Sequence, residues 1–222
     1  MRLLHSIITA AFVLTLNTAQ AGVIIGGTRV IYHGDKKETF ISVNNPDKYS
    51  YLIQSWVEDN DNNKAPFIIT PPLFRLGATE ENRLRIIRTG GNLPDDRESM
   101  YWVNIKTIPA TEKQDNVNTL QIAIKNRLKL IYRPQNLVAA PETVAEKLTW
   151  QRSGQQLVVK NPTPYYMNFS IVKIGNNMVK DATYVAPMSS ARFTVPAGAT
   201  GDVNWKIISD FGAAGKEFHA HL

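Results

Sequence analysis

Leu120-Gln121-Ile122-Ala123-Ile124-Lys125, followed by Arg127-Leu128-Lys129-Leu130-Ile131-Tyr132-Arg133-Pro134, is the stretch that decides the fold. Its first half places an aliphatic side chain at every second position, the period of a half-buried β-strand. Basic residues follow at once, at Lys125, Arg127 and Lys129. An edge strand normally carries a charge or a proline that stops a foreign strand from pairing with it. Here Leu120, Ile122 and Ile124 form an unblocked apolar row next to cations able to hold a carboxylate. The row fits a strand built to receive another chain, and it also fits a core strand of an ordinary sandwich. Pattern alone leaves both open.

Outward from this stretch, β-rich segments recur at 28–32, 39–43, 52–58, 67–70, 83–88, 101–108, 120–124 and 128–132. Turn signals separate them, among them His33-Gly34-Asp35, Asn44-Asn45-Pro46-Asp47 and Gly90-Gly91-Asn92. No helical period is sustained, and strands at this spacing over about 110 residues predict an immunoglobulin-like sandwich. Trp56 is expected as a buried aromatic in its core. Residues 136–142, flanked by Pro134 and carrying Pro141, read as a linker. A second β-rich set follows at 149–152, 157–160, 166–173, 191–195 and 203–209. The fold class is all-β, with one domain over 22–135 and another over 143–222.

Residues 1–21 have the marks of a secretory signal. Arg2 is a short positive start, Leu3 to Leu16 is mostly apolar, and Ala19-Gln20-Ala21 is a cleavage site that makes Gly22 the first exported residue. That apolar stretch is too short for a membrane anchor, and no later segment is long enough to span, so no direct membrane insertion is expected. The net charge is +6, and +5 once Arg2 is removed. Such modest, dispersed basicity suits an acidic or carboxylate-bearing partner and argues against nucleic acid. The absence of cysteine excludes disulfides and thiolate metal sites, so core burial must hold the chain together.

No catalytic constellation is visible. Of the four histidines, His5 lies in the signal, His33 in a turn, and His219 and His221 near the C-terminus. No Gly-x-Ser-x-Gly elbow, phosphate loop or dinucleotide fingerprint accompanies them. His219-Ala220-His221 reads as a fraying tail with at most two ligands, short of a metal site. Asp95/Asp96 and Glu80/Glu81 read as solvated turn carboxylates. The expectation is a protein without enzymatic activity, cofactor or metal.

Several motifs occur in a fixed order: Thr28-Arg29-Val30-Ile31-Tyr32, Thr70-Pro71-Pro72-Leu73-Phe74-Arg75-Leu76, and Leu93-Pro94-Asp95-Asp96-Arg97-Glu98-Ser99-Met100-Tyr101-Trp102. The 128–134 segment and Asn161-Pro162-Thr163-Pro164-Tyr165-Tyr166 complete the series. Together they resemble the PapD-like periplasmic pilus chaperones of the chaperone–usher pathway, over essentially the whole mature length. The resemblance implies two immunoglobulin-like domains in an L or boomerang, with a binding cleft between them. It also implies a periplasmic chaperone that folds and caps pilus subunits by donor-strand complementation and delivers them to an outer-membrane usher.

By the same resemblance, Arg29 and Lys129 anchor the C-terminal carboxylate of the subunit, and Leu120, Ile122 and Ile124 fill its groove. Self-association through this row is implied when no subunit is bound. Glu98, Arg133 and Asp210 match an interdomain charge network. Ile124 and Lys129 are an odd number of residues apart, so a bulge near 126–128 is expected if both serve one partner. Some relatives carry a disulfide in the second domain, which this chain lacks. The short connection over 109–118 resembles the short-loop branch serving rod-like pili. The rival reading is a secreted structural or adhesive β-sandwich, akin to a pilin or adhesin.

Overall fold

The computed structural model describes residues 22–61, 63–110 and 120–222. The signal segment and most of the connection before Leu120 lie outside the described residues. Two separate apolar cores organise the rest. Around the first run β1 (Ile24–Ile25), β2 (Arg29–His33), β3 (Glu38–Asn44), β4 (Tyr51–Glu58), β5 (Phe67–Thr70), β6 (Leu73–Leu76), β7 (Glu81–Arg88), β8 (Ser99–Pro109) and β9 (Ile124–Arg133). They make a four-stranded sheet, β1-β3-β7-β5, and a five-stranded sheet, β2-β9-β8-β4-β6. Side-chain alternation sends Ile41 and Val43, Leu84 and Ile86, Val103 and Ile105, and Leu128 and Leu130 into the space between the sheets. Each aliphatic so enclosed contributes about 1.5–3 kcal/mol of transfer free energy. Tyr32, Phe67 and Tyr132 pack together with ring centroids 5.3, 6.1 and 6.3 Å apart.

Trp56 is not a core residue. On β4 the inward side chains are Tyr51, Ile53, Ser55 and Val57, while Leu52, Gln54 and Trp56 point away from that core. Lys125 Nζ stands 5.6 Å from the Trp56 ring centroid, and the indole donates to Glu58 Oε2 at 2.9 Å. Alternation divides a strand into two faces but does not say which face the second sheet will cover.

The second core is enclosed by β10 (Thr149–Ser153), β11 (Gln156–Asn161), β12 (Met167–Ile174), β13 (Asn177–Met178), β14 (Tyr184–Val185), β15 (Ser189–Thr194), β16 (Val203–Ile208) and β17 (Ala214–Ala220). The sheet β10-β11-β15 faces β13-β12-β16-β17, with β14 attached to β12. Trp205 lies against Trp150 and Phe218, with centroids 5.4 and 5.7 Å away. Two 3-10 turns, Pro141–Thr143 and Ala145–Lys147, lead into this domain, and Ala145 and Leu148 already belong to its core. β17 had no legible pattern because Ala-Gly-Lys-Glu-Phe-His-Ala buries only Phe218. His219 therefore belongs to a strand, opposite Asn204, and not to a fraying tail.

β9 is one strand where two were expected. Its register with β8 runs unbroken from Thr107 opposite Ile124 to Ser99 opposite Tyr132, so no bulge interrupts 126–128. Residues 120–123 carry no ladder. Ahead of them β8 ends at Pro109, whose nitrogen has no hydrogen to donate.

Candidate functional site

β2 and β9 pair in parallel, and the register sets Arg29 directly beside Lys129, 100 residues later in the chain. Neighbouring strands lie about 4.8 Å apart, so the two cations share one face of the sheet at close range. It is the face opposite the first core, because Val30, Tyr32, Leu128 and Leu130 point the other way. The second domain meets it there. Lys129 Nζ donates to Asn168 Oδ1 and stands 4.5 Å from the centroid of the Tyr184 ring. Arg29 Nη1 donates to the Ile208 carbonyl at 3.4 Å, while Arg29 Nε is buried with no hydrogen-bond partner among the described residues.

The electrostatics of this cleft favour an anion. Burial, reinforced by the neighbouring Arg29, pushes the Lys129 ammonium down from 10.5 to about 8. Burial also lowers Arg29, an effect that Asp210 and Glu142 oppose. Two like charges held side by side and stripped of part of their water repel each other. A carboxylate offers two oxygens, one for the guanidinium edge and one for the ammonium, through charge-assisted hydrogen bonds. The contacts of Lys129 with Asn168 and Tyr184 were not read from sequence. The Asn161-to-Tyr166 motif lies just ahead of Asn168, but nothing in its composition tells which side chain reaches across to another domain.

Leu120, Ile122 and Ile124 are 87, 64 and 51% exposed, although all three are large aliphatics. Ile124 opens β9, while Leu120 and Ile122 precede it and lie outside any strand. β2 covers β9 only over 129–133, so among the described residues no strand occupies the outer edge over 124–128. With no bulge present, Ile124 shares the face of Leu128 and Leu130, and Lys129 takes the other.

Glu98, Arg133 and Asp210 come together where the domains join. Arg133 Nε donates to Glu98 Oε1 at 2.7 Å, and its two terminal nitrogens donate to Asp210 at 2.6 and 2.8 Å. Their side chains are 0, 5 and 23% exposed for Glu98, Arg133 and Asp210. Glu98 Oε2 also accepts the Tyr166 backbone N–H at 2.7 Å, and the Glu98 N–H donates to the Pro164 carbonyl at 2.9 Å. Burial pushes the Glu98 carboxyl up to about 7 against the pull of Arg133, while the two carboxylates raise Arg133. Arg133 lies four strand positions after Lys129, on the same face of β9. The network thus joins residues of both domains, and a buried ion pair of this kind is by itself weak evidence for added stability.

Comparison with known proteins gives a consistent result. Residues 22–138 match the model described as pili and flagellar-assembly chaperone, PapD N-terminal domain. Residues 143–219 match that of the pili assembly chaperone PapD, C-terminal domain. The chaperone protein FocC of Escherichia coli is 48% identical over 198 residues, covering 87% of each chain. The chaperone protein FimC of Escherichia coli K12 is 42% identical over 215 residues, covering 95% of this chain and 89% of its own. Among solved structures, the Salmonella enterica SafA pilin in complex with the SafB chaperone aligns with a TM-score of 0.86 at 41% identity, covering 93% of this chain and 99% of that one.

Proposed function

Because this chain belongs to the PapD family of pili assembly chaperones, we propose that its interdomain cleft holds the C-terminal carboxylate of a pilus subunit on Arg29 and Lys129. The subunit's last strand lies along the open edge of β9. Leu120, Ile122 and Ile124 then enter the groove of the incomplete subunit fold, each contributing about 1.5–3 kcal/mol of burial. This is recognition by β-strand addition, for which chaperone–pilin pairing is an established case. The work is exchange of strands in the periplasm, without bond chemistry, and the capped subunit passes to an outer-membrane usher.

The observation that carries this reading is the pair of half-buried cations set side by side by the β2–β9 register. A sandwich with a merely structural or adhesive role has no need of two desolvated like charges at a domain junction. The test is co-purification from periplasm of Lys129→Ala and wild-type protein with the cognate subunit. Loss of the complex by a variant with wild-type circular dichroism supports the reading. Wild-type yield of the complex from that variant overturns it.

A further inference from the structure

Asp47, in the turn before β4, gathers two donors on one carboxylate oxygen. The Gly22 nitrogen lies 2.9 Å from Asp47 Oδ2, and the same oxygen accepts the Tyr51 hydroxyl at 2.6 Å. The Tyr51 and Tyr49 hydroxyls are 3.1 Å apart. Asp47 is itself held in place: its N–H donates to Asn45 Oδ1 at 3.0 Å, and its carbonyl accepts the Thr79 N–H at 3.1 Å. Asn45 is completely buried and donates to the Tyr49 and Gly77 carbonyls. The hydrogen bonds from Tyr51 and then Gly22 keep the Asp47 carboxyl below the usual carboxylate range.

We propose that Asp47 is a receptor for the chain's own α-ammonium group, created when an export signal peptidase cleaves after Ala21. Hydrolysis of the Ala21–Gly22 peptide bond consumes one water. It leaves a carboxylate on Ala21 and –NH₃⁺ on Gly22. A neutral peptide N–H facing Asp47 thereby becomes a cation at the same place, and a charge-assisted hydrogen bond is about twice as strong as a neutral one. β1 needs such a fastening. It has only two residues, Ile24 and Ile25, paired with Asn44 and Val43. Its far end is closed by the Gly26 N–H on the Ser42 carbonyl at 2.9 Å, and Asp47 closes the near end. Processing therefore tightens the docking of β1 on the first sheet, and the uncleaved precursor lacks that contribution.

The experiment uses the full precursor expressed with its own signal and purified from periplasm. Intact mass establishes the first residue. The authentic chain is compared with the same chain selectively acetylated at its α-amine, and with one carrying an extra alanine before Gly22, each in wild-type and Asp47→Asn backgrounds. In wild type, both changes speed hydrogen exchange at Ile24 and Ile25 by about 1.4- to 5-fold, the span covered by exposed ion pairs. In Asp47→Asn they change nothing. A mature chain that does not start at Gly22, unchanged exchange after acetylation of wild type, or equal changes in both backgrounds would overturn the proposal. If Asp47→Asn fails to fold, acetylation of wild type alone decides. Subunit capture is measured in parallel and stays at wild-type level, because neither change touches Arg29 or Lys129.

Discussion

Replacing Lys129 by Met is expected to remove a pH dependence that runs against the usual loss of stability in alkali. The Lys129 ammonium is brought down from 10.5 to about 8 by burial and by Arg29 beside it. Between those values the unfolded chain binds more protons than the folded one, so the contribution of this group to stability rises with pH. One group can supply at most about 1.4 kcal/mol per pH unit, hence about 3 kcal/mol across the window. Solvent reaching a half-buried ammonium reduces this to about 1 kcal/mol. For a chain of this size that is about 2–4 °C in melting midpoint. Binding runs the other way. A carboxylate needs the protonated amine, so affinity for a peptide with a free C-terminus falls above about pH 8, by up to about tenfold per unit, while the amidated peptide binds weakly throughout. Lys129→Met leaves Asn168 Oδ1 without its donor, an offset of about 1–3 kcal/mol that does not vary with pH. Calorimetric unfolding and titration calorimetry from pH 7 to 10.5 on both proteins make the comparison. Identical pH slopes in wild type and Lys129→Met would refute the argument and reduce Lys129 to an ordinary solvated lysine.

Arg29→Ala is expected to lose subunit capture as Lys129→Ala does, and the double variant to be little worse than either, because both act on one carboxylate; additive losses in a pull-down would assign them separate targets. Ile122→Glu should block capture by placing an unpaired charge in an apolar groove, whereas Gln121→Glu, whose parent side chain bonds the Pro109 carbonyl, should retain most of it. Equal losses would show that the assigned facing of this segment is wrong. Asp210→Ala removes two of the hydrogen bonds of Arg133 but leaves the one to Glu98. Breaking a buried network costs about 3–5 kcal/mol, and the partial exposure of Asp210 lowers that to about 1.5–3 kcal/mol. Urea unfolding with small-angle scattering reads both stability and domain angle, and no change in either would make Asp210 a plain surface carboxylate.

The strands were legible where a local period marks them. β3, β4, β5, β7, β8, β11, β12 and β16 lie within a few residues of the segments read from sequence, because alternation and turn residues are properties of consecutive positions. Where the pattern was thin, it failed. β1, β6, β13, β14 and β17 are short or edge elements whose few buried side chains leave little period to read. Around β9 the pattern suggested two strands, and only the continuous ladder to β8 showed one.

The sequence by itself determined the all-β class and the two sets of strands on either side of 136–142. It also marked Leu120, Ile122 and Ile124 as an apolar row beside cations. Only the tertiary structure decided that Trp56 faces away from the core, and that Arg29 stands level with Lys129. It alone brought Asn168 and Tyr184 against Lys129, and closed Glu98, Arg133 and Asp210 into one network. The reason is the range of the interactions. A two-residue period is imposed by the backbone of a single strand, whereas the face that is covered, the register of a parallel pair and the docking of two domains are set by packing between segments far apart in the chain.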